Sequence, residues 1–328
     1  MPVDLDQLSA HWRRALNSAQ DAVQAGSLYL PASEQRLLRA ELSAERKDTA
    51  RLLDAIAREE HVHLVHRVGL PRPSRRMLGL NQEVDACVFE LEGVLTGAAA
   101  VHAAAWAETF DELLLQRAER VDGRFAAYAP FNPRTDYERY IHGRPRIEGV
   151  HSFLASRGIR LPEGTPDDPP TAETVRGLAK RKNLILLRRL SAQGVKAHEG
   201  ARLYLEALRD AGLHAAVVSA SANTATILEQ AGLAGLVDIR VDGTTIVAQH
   251  LRGWPAPDVL LAACRGLDVP PRHAAAFETL PAGVAAGRSA GFGEIVAVER
   301  HGGFETMRRE GADVVVRDLD ELLDPALR

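Results

Sequence analysis

Apolar residues follow three different rules along this chain. Up to about residue 80 they recur near helical spacing. In "SEQRLLRAELSAERKDTARLLDAIAREEHVHLVHRV", Leu37, Leu38, Leu42, Leu52, Leu53 and Ile56 are separated by charged residues. The stretch "GLPRPSRRMLGL" breaks this pattern with two prolines and reads as a linker. A short unbroken apolar run at 86–89 then predicts a buried strand. From about 98 to about 196 the pattern is mostly helical again. It is interrupted by an irregular section, "YAPFNPRTDYERYIHGRPRIEGV", and a proline-rich loop, "LPEGTPDDPPTAETV". Beyond Gly200 helical and strand patterns alternate. The strands are "HAAVVS", "VDIRV", "HAAAFE", "EIVAV" and "ADVVV", each separated from the next by a helical segment. Short apolar strands alternating with helices predict a parallel sheet covered on both faces.

In such a sheet the ligand crevice lies past the carboxyl ends of the strands. The residues at that rim are Glu90 and Glu92, then Ser219 and Ser221, then Glu278 and Thr279. No strand is followed by a glycine-rich dinucleotide or P-loop signature, so the rim is not that of a common nucleotide-binding fold. The net charge of −4 gives no reason to expect nucleic acid or an anionic membrane as partner. Two cysteines, Cys87 and Cys264, cannot build a disulfide framework. No apolar run is long enough to span a bilayer, and the N-terminus lacks a secretory pattern, so a cytoplasmic protein is expected. His61, His63 and His66 in "HVHLVH" do not share one helix face, which favours a helix end over a metal site.

From residue 84 onward the chain resembles the haloacid dehalogenase superfamily, in its β-phosphoglucomutase-like branch. "FELEGVLT" is similar to the first motif of that family, D-x-D-G-V-[LI]-T. "VHAAAW" is similar to the start of the helical cap, with His102 and Trp106 in place, and "LAKRKN" to a cap segment carrying Lys182 and Asn183. "VVSASAN" resembles the second motif, with Ser219 as the phosphate-binding hydroxyl. "LRGWPAPD" resembles the third, G-K-P-x-P-D, and "FETLPAGVAAG" the fourth, E-D-[AS]-x-x-G.

The resemblance implies a three-layer Rossmann-like α/β core at 84–97 and 197–328. It also implies an inserted helical cap at 98–196, preceded here by an N-terminal helical extension at 1–80. Its chemistry is phosphoryl transfer through an aspartyl-phosphate, with a second Asp as acid and base, Mg²⁺ held by motif acids, and a Lys and a hydroxyl balancing the transferred charge. The implied substrate is a phosphorylated sugar, contacted from the cap by Arg144, Arg146, Lys182 and Asn183 and from the core by Ser221 and Asn223.

Several stations depart from that pattern. Glu90 stands at the nucleophile position, Glu92 at the acid/base position, Trp254 at the Lys and Thr279 at one metal acid. Ala222 stands where mutase-like relatives often carry a cation. A Glu carries its carboxylate on the order of 1 Å further out than an Asp, and a displacement of that size costs about 10²-fold in rate. Losing one charge stabiliser costs roughly 10²–10³-fold. A Mg²⁺ site of Glu90, Glu92, Glu278 and Thr279 is expected to be weak or lost. Two functional readings follow: a non-catalytic protein that keeps a sugar-phosphate or protein-binding role, and an active phosphatase or mutase with Glu90 as nucleophile and Glu92 as acid/base. Trp254 is expected to cover the mouth between Glu90 and Ser219, the alternative being an indole packed under the cap. The N-terminal extension is expected either to dock a protein or a second copy of the chain, or to pack on the core as a helical pair.

Overall fold

The computed structural model describes residues 72–120, 129–300 and 302–327. The expected N-terminal helices and the histidines at 61, 63 and 66 lie outside these residues. Pro73 to Arg328 form one compact unit.

Its centre is a six-stranded parallel sheet in the order β3-β2-β1-β4-β5-β6. The strands are β1 (Ala86–Glu90), β2 (His214–Val218), β3 (Ile239–Val241), β4 (Ala274–Glu278), β5 (Glu294–Val298) and β6 (Val314–Val316). β1, β4 and β5 are buried along their whole length, as expected of strands covered on both faces.

The two-residue period of a strand divides the core in two. Cys87, Phe89, Ala275, Phe277, Val296 and Val298 face one apolar cluster. Ala86, Val88, Ala274, Ala276, Ile295 and Ala297 face the other. In the first cluster Phe89 stacks on Phe277 with ring centroids 4.5 Å apart, and Tyr204 meets both rings. The second is lined by small side chains against helices at Asp258–Leu267 and Pro281–Ala290.

The helices are numbered in chain order. The cap consists of α1 (Ala98–Arg120), α2 (Arg146–Ser156) and α3 (Val175–Gln193). The core helices are α4 (Glu199–Asp210), α5 (Thr224–Gln230), α6 (Gly243–Ala248), α7 (Asp258–Leu267), α8 (Pro281–Ala290) and α9 (Phe304–Glu310). The cap has its own apolar centre, in which Phe110 packs on Trp106, Phe131 and Phe153. Thr96 and Ala197 pair in an antiparallel bridge, so the chain leaves for the cap and returns from it side by side.

Three local readings are corrected. The section read as irregular contains a wide, π-helical turn at Tyr137–Ile141 and the start of α2. The short helix α6 follows β3 with Asp242 capping the amides of Thr244 and Thr245, which the pattern did not signal. The stretch read as a linker is part of the core at its end. Arg75–Leu78 form a 3-10 turn, Leu78 and Leu80 are buried in the first apolar cluster, and the Tyr204 hydroxyl donates to the Leu78 carbonyl at 2.9 Å. The leucines of this segment supply the burial.

Leu78→Ala is therefore expected to lower unfolding free energy by about 2–5 kcal/mol, the range for a buried Leu truncation. Denaturant unfolding measures it; a loss within about 0.5 kcal/mol, typical of an exposed position, would return this segment to the status of a linker.

Candidate functional site

β1 sits at the middle of the sheet, paired with β2 on one side and β4 on the other. Its register places Glu90 beside Val218, so the next residue, Ser219, and the end of β4, Glu278, open on the same rim. This is the crevice predicted for a parallel sheet whose strand order reverses at its first strand.

At that rim the chain turns sharply through Leu91–Leu95, and Glu90 caps the turn with its own side chain. One carboxylate oxygen of Glu90 accepts from the Glu92 amide at 2.7 Å. The other accepts from the Gly93 amide at 2.8 Å and the Val94 amide at 3.4 Å. The Thr279 hydroxyl donates to this second oxygen at 3.4 Å. Gly93 has no room for a side chain here: a β-carbon would come within 2.8 Å of Thr279. Burial pushes the Glu90 carboxyl above its ordinary pKa, opposed by these donors.

Glu92 points toward the cap. Its Oε2 accepts from the Tyr137 hydroxyl at 3.2 Å and its Oε1 from the Ser219 hydroxyl at 3.2 Å. His102 Nε2 stands 3.6 Å from the same Oε1, and His102 Nδ1 lies 3.1 Å from Lys182 Nζ. Burial raises the Glu92 pKa, and the Glu90 charge adds to it. Burial, with the Arg146 charge, lowers Lys182 to about 7; it also lies over the Trp106 ring. Burial first, then the charges of Lys182, Arg146 and His142, hold His102 well below its usual range.

A cavity of about 350 Å³ lies between cap and sheet. Glu92, His102, Trp106, Arg144, Arg146, Lys182, Ser221 and Asn223 all line it, so the structure brings these sequence-predicted residues together. Ser219 lies behind them, donating to Glu92 and accepting the Ser221 amide at 3.0 Å. Asn183 does not line the cavity; its side-chain oxygen accepts from Asn223 at 3.0 Å, joining cap to core. Glu90 is also absent from the lining.

Trp254 stands beside the fourth-motif acid Glu278. Its indole does not line the cavity. It is partly buried beneath the cap, with Gly143 close by, and its Nε1 donates to Glu278 Oε1 at 3.2 Å. An indole N–H satisfies a buried carboxylate at this point, and the apolar ring finds cover on the core.

The residues nominated for a weak or lost Mg²⁺ site are engaged with their neighbours. The four nominated residues do not form an oxygen cage suited to Mg²⁺. The Glu90 oxygen that accepts from Gly93 and Val94 also accepts from Thr279, which leaves it no position for an ion. Glu278 is held by Trp254 and pressed against Gly283, where a β-carbon would fall 2.1 Å from a carboxylate oxygen. Thr279 serves Glu90 as a donor.

Two residues at this site were not singled out from the sequence. Tyr137 bonds Glu92, and His142 lies close enough to Glu90 and Glu92 for one ligand atom of each to fall within 4.8 Å of the others. The signal was present in position only: both stand just before the "GRPR" segment that carries Arg144 and Arg146.

A capped parallel α/β core with paired acids at the end of its first strand defines the class of phosphate-handling folds to which the motifs point. The model for haloacid dehalogenase-like hydrolases matches residues 84–291. A protein named β-phosphoglucomutase from Mycobacterium tuberculosis is 48% identical over 261 residues, covering 79% of this chain and 98% of that protein. One of the same name from Bacillus subtilis is 29% identical over 240 residues, covering 72% of this chain and 91% of that protein. Among solved structures, β-phosphoglucomutase from Clostridium difficile shares the fold with a TM-score of 0.55 at 20% identity, over 73% of this chain and 93% of that one. The chain belongs to the haloacid dehalogenase-like hydrolase family, as a β-phosphoglucomutase-like member. Among the described residues no helix is long and apolar enough to cross a membrane.

The buried acids set a pH dependence. Burial raises the Glu278 pKa well above its ordinary value of 4.5, the Glu90 charge adds to this, and the Trp254 bond opposes it. Above pH 4.5 the unfolded chain loses this proton while the folded chain keeps it, so stability falls as pH rises toward the folded pKa. In the presence of chelator, Glu278→Gln is expected to lose less stability than the wild type between pH 4.5 and pH 8. Parallel pH profiles for the two proteins in denaturant unfolding would contradict this.

Proposed function

We propose that this protein binds a phosphorylated sugar in the cavity between cap and core and turns it over poorly or not at all. One observation carries the reading. The carboxylate at the nucleophile position accepts hydrogen bonds from the amides of its own turn and does not line the cavity, whereas the polar groups of the cavity remain assembled.

An attacking carboxylate needs a free oxygen lone pair aimed at phosphorus, at near-attack distance. Glu90 spends its oxygens on the amides of its own turn and the Thr279 hydroxyl, and its burial favours the neutral form, which is a poor nucleophile. No lysine partner remains on the Trp254 side. Binding is a different requirement. Arg144 and Arg146 bring guanidinium groups suited to phosphate oxygens, and Ser221 and Asn223 offer neutral polar contacts. The cavity volume falls within the usual range for small-ligand sites, about 300–1,000 Å³.

The second reading is an active Mg²⁺-dependent phosphatase or phosphomutase with Glu90 as nucleophile and Glu92 as acid/base. The identity of 48% with a protein named β-phosphoglucomutase supports it.

Calorimetric titration with a set of hexose phosphates separates binding from turnover. Heat of binding is expected with at least one of them, reduced about tenfold in affinity by Arg146→Ala, equivalent to ~1.4 kcal/mol, as for loss of a charged hydrogen bond. No heat with any hexose phosphate would remove the small-ligand reading. A screen of phosphate esters with Mg²⁺ is expected to show no hydrolysis above background. Turnover that Glu90→Gln abolishes would establish the second reading instead. Restoring Glu90→Asp, Glu92→Asp, Trp254→Lys and Thr279→Asp together is expected to bring back Mg²⁺ binding and measurable phosphatase activity.

A further inference from the structure

The poor fit to Mg²⁺ leaves a question of charge. Glu90 and Glu92 end the central strand as buried carboxylates, 6% and 7% exposed. The hydrogen bonds that Glu92 accepts come from Tyr137 and Ser219, both neutral donors. Lys182, the buried cation nearby, lies at hydrogen-bond distance from His102. Acids in such a place are stable when a compact cation shares them.

A ring nitrogen of His142 lies near Glu90 and Glu92, and His102 faces Glu92. The Nε2 atoms of His102 and His142 are both shut off from solvent, and neither has a hydrogen-bond partner among the described residues. His102 is itself only 5% exposed, and its Nε2 faces Glu92 Oε1 across 3.6 Å. Buried polar atoms are seldom left unpaired, and an unpaired imidazole nitrogen beside a carboxylate is a ready metal donor. Ligand atoms of Glu90, Glu92 and His142 lie within 4.8 Å of one another, so a small contraction brings them to a common ion. The Glu90 oxygen bonded to the Glu92 amide carries that one hydrogen bond and keeps a second acceptor position.

We propose that Glu90, Glu92 and His142 bind a divalent transition-metal ion of the Zn²⁺ class, which ties the cap to the core. The donor set argues for this class. Mg²⁺ selects oxygen ligands in a near-octahedral cage, whereas an imidazole nitrogen with two carboxylates suits Zn²⁺, Co²⁺ or Mn²⁺. The site uses neither fourth-motif residue. Glu278 stays with Trp254, and Thr279 stays with Glu90. His142 belongs to the loop between the turn at Tyr137–Ile141 and α2, so its participation makes the ion a clasp across the two layers that enclose the cavity. Sugar-phosphate binding in chelator tests the earlier reading independently of this one.

The full-length protein, freed of metal by chelation, is titrated with Co²⁺ and followed by visible absorption, with Zn²⁺ as competitor. One equivalent of Co²⁺ is expected to develop absorption bands that Zn²⁺ abolishes, and Zn²⁺ is expected to raise the thermal unfolding temperature. His142→Ala and Glu92→Gln are each expected to weaken binding by at least about tenfold. Both variants are first shown to keep the circular-dichroism spectrum and chelator melting curve of a folded chain. A variant with His61, His63 and His66 all replaced by Ala controls for the N-terminal histidines and is expected to bind as the wild type does. Absence of the bands, bands undiminished in both site variants, or bands lost in the N-terminal variant would each overturn the proposal.

Discussion

The site depends on where one carboxylate goes. Glu90 ends the central, fully buried strand β1 and folds back onto the amides of residues 92 to 94. That choice fixes its neighbours. Gly93 must stay without a side chain because Thr279 lies over it. Thr279 supplies a hydroxyl donor where an acid would set a second negative charge against Glu90. Arg300 donates to the Gly93 carbonyl and holds the turn from the other side. Trp254 gives Glu278 an N–H where a cation is missing. The departures from the family motifs are therefore not independent losses. Thr279 serves Glu90 and Trp254 serves the retained Glu278, as buried polar groups must be served if they are to be stable.

This arrangement separates two tasks that usually share a site. The groups suited to holding a phosphorylated ligand line a cavity under the cap. The group at the position of the nucleophile lies outside that lining, engaged with backbone. Glu92 is the link between them. It faces the cavity, yet its oxygens are held by Tyr137 from the cap and Ser219 from the core. A closed cap thus acts on the ionisable centre directly, through hydrogen bonds as well as by excluding water.

Much of this was legible in the sequence, for identifiable reasons. The parallel sheet followed from unbroken apolar runs separated by helices, and the rim followed from where those runs end. The cavity residues from His102 to Asn223 came from motif resemblance, and their meeting in space reflects the fold that the motifs share. What was not legible depends on side-chain direction. Nothing in "FELEGVLT" says that Glu90 turns back rather than outward. Nothing in "GWPAPD" says that the indole seeks Glu278. His142 was invisible because a single histidine in a loop carries no spacing signal, and its proximity to Glu90 and Glu92 arises only when the cap folds over the core. The buried role of Leu78 and Leu80 was hidden by the two prolines before them, which mark a turn but not where the following apolar residues are covered.

The central claim is that the Glu90 carboxylate occupies the amides of its own turn. Nuclear magnetic resonance of the backbone amides of Glu92, Gly93 and Val94, recorded with and without inorganic phosphate in chelator, tests it most directly. The account predicts that phosphate leaves these three resonances in place in the wild type and shifts them in Glu90→Ala, where the amides are free to take an external anion. Phosphate shifts at these amides in the wild type equal to those in the variant would contradict it.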